Sequence, residues 1–151
     1  MKTLRYFLFS LTLLLCFSAC QVSSTGSDPT PANAPKSELL AGKLTKSWLV
    51  ISSKIDGKEV FNQAKACSKD DILVFRADKT YEWNEGLSKC RDKDQQIYEK
   101  GTWEFNSSET EMTWNKKDTY KVLDLGPSTL RTSFKNVFGE IEEQTYQSQS
   151  N

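Results

Sequence analysis

From Trp48 to Tyr146 apolar and polar residues alternate in short runs, with no recurrence at a helical spacing. Tyr81 and Trp83 oppose Thr80, Glu82 and Asn84; Trp103 and Phe105 oppose Thr102 and Glu104; Leu130, Thr132 and Phe134 oppose Arg131, Ser133 and Lys135. A period of two with one apolar face is what a half-buried antiparallel strand requires. The pattern predicts eight strands: Trp48–Ile55, Asp71–Arg76, Thr80–Asn84, Gly101–Phe105, Glu111–Trp114, Thr119–Leu125, Thr129–Lys135 and Glu140–Tyr146. Turn residues separate the runs, as in an all-β meander. The second run, Ile72-Leu73-Val74-Phe75, is apolar on both faces and is expected to lie under a loop or under the N-terminal turn. That turn, Ser37 to Gly42, reads as a short helical segment ended by glycine.

The connections carry more information than the strands. In an up-and-down meander alternate connections fall at the same end. Ala77–Lys79, Asn106–Thr110 and Gly126–Ser128 are short and share one end. The long connections Asp56–Asp70 and Glu85–Lys100 share the other, and Cys67 and Cys90 sit one in each. Two strands lie between the cysteines, so a bridge between them is geometrically permitted, since it needs Cα atoms within about 7 Å. Eight strands are about the smallest number that closes a barrel whose interior is filled or holds one small ligand. A membrane-spanning barrel is rejected, because Glu82, Glu104 and Arg131 occupy outward positions that lipid would have to accept.

Composition then sets the compartment. Lys2 and Arg5 precede a 12-residue apolar run, Tyr6 to Phe17, too short to span a bilayer and suited to a signal peptide over residues 1–20. Residues 21–37 hold four serines, three prolines and no aromatic residue, the composition of a flexible tether. Residues 148–151 are expected to form a disordered tail. The whole chain balances 20 basic against 20 acidic residues; without Lys2 and Arg5 the balance is 18 to 20, near −2. With no basic run longer than two residues, nucleic acid is not an implied partner. Histidine is absent, which excludes Ser-His-Asp and Cys-His nucleophilic sites and His-ligated metals. In an exported chain Cys67 and Cys90 read as a disulfide; two thiols without histidine are too few ligands of the preferred types for zinc.

Two resemblances follow from these residues. The segment ending Phe17-Ser18-Ala19-Cys20 resembles the lipobox of bacterial lipoproteins, with Phe17 where leucine is usual. It implies acylation at Cys20 and anchoring to the membrane, more on the periplasmic face of the outer membrane than on the cell surface, since no acidic patch follows the cysteine. The string from Cys67 through Lys69-Asp70-Asp71, Phe75, Asp78, Thr80-Tyr81 and Cys90 to Gly101-Thr102-Trp103 is the second. Together with Trp48 it resembles the lipocalin-like domain of small Gram-negative lipoproteins, over residues 38–147. The likeness implies an eight-stranded barrel with an N-terminal turn closing one end, and names no ligand.

Function is read from the barrel mouth. Trp48, Phe75, Tyr81, Trp83, Trp103, Trp114 and Phe134 either line a pocket for a small apolar ligand or fill the core. The alternative is an envelope protein partner gripped by the rim loops 56–70 and 85–100. The acidic pairs Asp70-Asp71, Asp92 with Asp94 and Glu142-Glu143 read as solvated surface, without calcium-loop spacing. No enzyme activity, metal or cofactor is expected.

Overall fold

A computed structural model describes residues 33–149. The signal peptide, Cys20 and most of the tether fall outside the described residues. The chain forms α1 (Lys36–Ala41), then β1 (Thr45–Ile55), β2 (Lys58–Glu59), β3 (Ile72–Arg76), β4 (Thr80–Asn84), β5 (Ile97–Phe105), β6 (Glu111–Trp114), β7 (Asp118–Leu125), β8 (Thr129–Lys135) and β9 (Ile141–Gln149). Each long strand pairs antiparallel with the next, and β9 returns to pair with β1 from Ser47↔Gln149 to Ile55↔Glu142. The sheet is a closed eight-stranded antiparallel barrel with β2 added as a short hairpin partner of β1. Closure leaves no long unpaired edge.

Several boundaries differ from the sequence reading. β1 starts at Thr45 and β5 at Ile97, each earlier than the apolar alternation indicated, because Lys46 and Glu99 occupy inward positions. β9 runs to Gln149, so Ser148 and Gln149, expected in a tail, are paired with Trp48 and Ser47. Residues 36 and 37, expected in the tether, begin α1. The 56–70 connection is not structureless: Asp56 and Gly57, both at positive φ (49° and 78°), make the hairpin to β2, and two 3₁₀ turns follow at Phe61–Gln63 and Ala66–Ser68. Three bulges insert Ile51, Tyr98 and Leu123, which have no register partner; Ile51 and Leu123 are pushed outward and stay 45 % exposed.

The short turns collect at one end, and α1 closes it. Lys36 Nζ donates to Glu109 O at 2.6 Å, Ala77 N to Leu44 O at 3.0 Å, and Lys46 Nζ to both Leu39 O (2.7 Å) and Pro127 O (2.6 Å). The helix and the segment after it thus touch all three short connections. Leu39, Leu40 and Ala41 of α1 are buried, and the Trp48 indole donates to Leu40 O at 2.8 Å. Above this plug the floor is solid. Trp48, Leu73, Phe75, Trp103, Met112 and Leu130 are all at most 1 % exposed. Phe75 meets Trp103 edge-on at 5.8 Å and Trp114 likewise at 5.8 Å, a geometry worth about 0.5–1.5 kcal/mol per pair beyond area burial.

The long loops lie at the other end and are stitched to each other. Cys67 and Cys90 form a disulfide with Cα atoms 5.1 Å apart. Beside it, Asp70 Oδ2 accepts from the backbone N–H groups of Leu87 (3.1 Å) and Ser88 (2.8 Å). Gly86, at φ 61°, passes so close that a Cβ there would stand 1.9 Å from Asp70 O. Asp70 is therefore a structural staple and not solvated surface.

Candidate functional site

The site lies inside the mouth, between the filled floor and the stapled rim. Inward positions of successive strands bring there Ser53 and Ile55 from β1, Trp83 from β4, Glu99 from β5, Trp114 from β6, Asp118 and Tyr120 from β7, Thr132 and Phe134 from β8, and Glu142 and Gln144 from β9. Asp71, just ahead of β3, is in phase with Leu73 and completes the ring.

Of the seven aromatic residues singled out by the sequence, the structure divides the set. Trp48, Phe75 and Trp103 belong to the floor, and Tyr81 and Trp114, 1 % and 2 % exposed, form its upper layer. Trp83 and Phe134 are half-buried and face the mouth. Tyr120, not singled out by the sequence, is the hub between the levels. Its ring stacks on Trp114 at 4.1 Å and leans on Phe134 at 5.0 Å.

The polar groups of the mouth are held in short chains. Asn115, in the β6–β7 turn at φ 52°, folds its side chain over Gly101. Its Oδ1 accepts from Thr102 N at 3.1 Å and its Nδ2 donates to the Tyr81 hydroxyl at 3.0 Å. Tyr81 in turn donates to Glu99. Across the barrel Ser53 Oγ donates to Glu142 Oε1 at 2.7 Å, Gln144 Nε2 donates to the same oxygen at 2.8 Å, and the Tyr146 hydroxyl donates to Gln144. Tyr98 donates to Asp71 Oδ2 at 2.9 Å and packs on Trp83 at 5.6 Å. Five buried polar atoms lack partners among the described residues: Asp71 Oδ1, Trp83 Nε1, Trp114 Nε1 and Thr132 Oγ1 in the mouth, and Asp70 Oδ1 at the rim; Thr132 Oγ1 lies beside the Tyr146 phenol.

Electrostatics reflect the same convergence. Burial pushes the Tyr120 phenol well above its ordinary value, and the charges of Asp118, Glu99 and Glu142 push the same way. Burial raises Tyr81 most, followed by its bond to Glu99, and raises Tyr98 and Tyr146 too. These phenols stay protonated, and those of Tyr81, Tyr98 and Tyr146 act as donors. Burial also raises Asp71, partly offset by the Tyr98 bond and reinforced by Glu85 and Asp70. Among the described residues the ion pairs are Arg76–Glu82, Arg91–Asp94 and Arg131–Glu143. None involves the mouth carboxylates, so the mouth carries uncompensated negative charge.

Outside the barrel wall, a groove of about 590 Å³ runs between α1 and the outer face of β5, lined by Ser37, Lys79, Thr102, Glu104 and Lys116. A smaller one of about 370 Å³ shares Ser37, Lys79 and Trp103 with it. Turn residues 106, 107 and 109 and the rings of Trp103 and Phe105 also border the larger groove, and the Lys79 ammonium lies over Trp103 at 3.9 Å. The mouth, where rings and polar groups converge, is the better candidate.

Glu99, Asp118, Tyr120, Thr132 and Glu142 escaped the sequence reading as site residues. Phase was the available signal: Glu99 is in step with Gly101 and Trp103, Asp118 with Tyr120 and Val122, Glu142 with Gln144 and Tyr146. Glu142, read as surface, instead faces the barrel interior. No protein-family model and no curated protein matches this sequence.

Proposed function

We propose that this protein is a non-catalytic binding module of the bacterial envelope, taking one small ligand with an apolar, stackable body into the barrel mouth. The observation that carries the reading is the contrast between levels. Trp48, Phe75 and Trp103 fill the floor, whereas Tyr120, Phe134 and Trp83 above it are only partly buried. Rings interspersed with a few polar groups are the usual lining of a small-molecule site. The closed barrel is compatible with the lipocalin-like resemblance. Anchoring through acylated Cys20 to the outer membrane, facing the periplasm, rests on the Phe17–Cys20 segment alone.

Native mass spectrometry of protein isolated from its own host tests the reading. The wild type is expected to carry a small-molecule adduct that Tyr120→Ala and Phe134→Ala lose; a ligand-free wild type refutes it. A second reading is favoured by the rim itself, where Leu87, Val137 and Phe138 are 99 %, 93 % and 83 % exposed. Apolar tips so placed suit a protein partner. Pull-down from host envelope with Leu87→Ser and Phe138→Ser variants decides it; partners unchanged from wild type count against that use.

A further inference from the structure

We propose that the rim half of β5 takes, by strand addition, an extended segment of a partner protein that carries acidic side chains on its outer face. This rests on the second reading above, a protein partner at the rim, and gives its mode and chemistry. β5 is nine residues long and β6 only four. β4 pairs with one side of β5 from Ile97 to Thr102, but β6 pairs with the other side only from Trp103 to Phe105. The last contacts across that seam belong to Thr102, whose C=O accepts from Asn115 N at 2.8 Å and whose N–H donates to Asn115 Oδ1 at 3.1 Å. There β6 turns away through residues 115–117, and β7 pairs with β8 only from Lys121↔Ser133 onward. Residues 97–101 of β5 thus form a short edge beside the β6–β7 turn, on the hairpin whose loop carries the fully exposed Leu87. Alternation fixes which groups are free. Trp103 N–H donates to Lys79 O at 2.8 Å, toward β4, whereas Thr102 bonds toward β6. Lys100, in phase with Thr102, directs its N–H and C=O to the same side, where β6 has no residue to meet them. Free edge groups of this kind are what an added strand bonds to.

The side chains decide the occupant. Lys100 is exposed, and Lys116, also exposed, borders Thr102 on the outer wall. Neither is in an ion pair among the described residues. Glu82, opposite Lys100 on β4, is held by Arg76 at 2.6 Å. A second copy of this chain, paired antiparallel about Lys100, sets one lysine against the other, and like charges directly opposite are destabilising. A strand with carboxylates on its outer phase answers both lysines instead. Its alternate side chains point to the other face of the sheet, into the mouth, where Trp83, Tyr120 and Phe134 are only partly buried. Apolar residues belong on that phase. The bulge at Tyr98 bends β5 just beyond Lys100 and keeps the pairing stretch short.

The test titrates the purified full chain with short capped peptides, followed by ¹H–¹⁵N NMR and amide exchange. One peptide alternates valine and glutamate and a second alternates valine and lysine. A third is the first N-methylated at its glutamates, whose N–H groups face Lys100 when their side chains do. The glutamate peptide is expected to shift Lys100, Thr102 and Lys116 saturably and to slow amide exchange at Lys100. The lysine peptide should bind roughly three- to tenfold more weakly, and the N-methylated one not at all. Lys100→Pro removes the free N–H without taking a bond from β4, a change that an edge strand accepts, and should abolish binding. Lys100→Ala keeps the N–H and should reduce the preference for glutamate while binding persists. Equal binding of the glutamate and lysine peptides overturns the inference, as does undiminished binding after N-methylation. Protection of Lys100 that grows with protein concentration in the absence of peptide means that a second copy fills the edge, and overturns it too. An envelope partner captured by the wild type and lost by Leu87→Ser, with no peptide effect at Lys100, sinks this inference alone; absence of both sinks the partner reading with it.

Discussion

Gly101 is the position at which the sequence most directly shapes the mouth. Its backbone is not left-handed, so alanine meets no backbone penalty there; the obstacle is Asn115, whose Oδ1 would stand 1.6 Å and whose Nδ2 2.7 Å from the new Cβ. The amide must swing away, releasing Thr102 N–H and the Tyr81 hydroxyl. At about 1 kcal/mol for each of two hydrogen bonds, plus about 1 kcal/mol for leaving a partly buried group short of a partner, the loss is about 3 kcal/mol. The alanine returns about 0.4–1 kcal/mol by restricting the unfolded chain, leaving a net cost of about 2 kcal/mol. Asn115→Gly removes the same two hydrogen bonds yet suits the positive φ of that turn residue, and should cost about 1–2 kcal/mol. Because both changes destroy one arrangement, the double variant should cost no more than Asn115→Gly alone, a coupling of about 2 kcal/mol. Urea unfolding followed by tryptophan fluorescence measures all three. Additive costs would refute the reasoning, since they would mean that Gly101 matters for something other than room for Asn115.

The remaining expectations concern the rim and the phenols. Cys67→Ser with Cys90→Ser should lower unfolding free energy by about 3 kcal/mol, from the loop-closure entropy of a 23-residue separation, read by urea midpoint under oxidising conditions. Burial raises Asp71 above the 3.8 of an unperturbed carboxyl, so the folded state binds its proton more tightly than the unfolded chain does. The stability this confers is present below that value and is lost as pH rises through the raised one; Asp71→Asn should therefore stabilise the protein at neutral pH and flatten the loss just above 3.8, as followed by thermal melts against pH. Tyr81→Phe should cost about 1–2 kcal/mol, because it strips donors and acceptors from Glu99 and Asn115. Tyr120→Phe, whose lost hydroxyl has no hydrogen bond among the described residues, should cost under about 0.5 kcal/mol by the same chemical denaturation.

Much of the architecture was legible because strand period and loop parity are two independent constraints. Tyr81/Trp83 and Leu130/Thr132/Phe134 announce their faces residue by residue, and an even number of strand passages is the condition for Cys67 to meet Cys90. The bulges were not legible. Ile51, Tyr98 and Leu123 continue apolar runs locally, and only cross-strand registers such as Val122↔Thr132 followed by Asp124↔Arg131 reveal the extra residue. The ends of β1 and β5 were missed for a related reason: Lys46 and Glu99 stand where the pattern calls for an apolar side chain, and each is tolerated by partners far along the chain.

That tolerance explains why the mouth was the least legible part. A polar residue in apolar phase near the middle of a strand argues against the strand, since burying it unpaired costs several kcal/mol. Near a strand end the same residue is ambiguous, because water reaches it there. Glu99, Asp118 and Glu142 lie within three residues of the rim-side ends of β5, β7 and β9, so nothing local distinguishes them from ordinary solvated carboxylates. What makes them a group is closure: β9 returning to β1 brings Glu142 and its Ser53 partner onto the same wall. Every odd connection then delivers its flanking residues to one rim. Eleven side chains are fully buried, and two of them, Tyr81 and Tyr146, reach these carboxylates directly or through Gln144. The mouth is thus legible only from the closed sheet, which sets residues flanking distant connections around one rim, and not from any one strand.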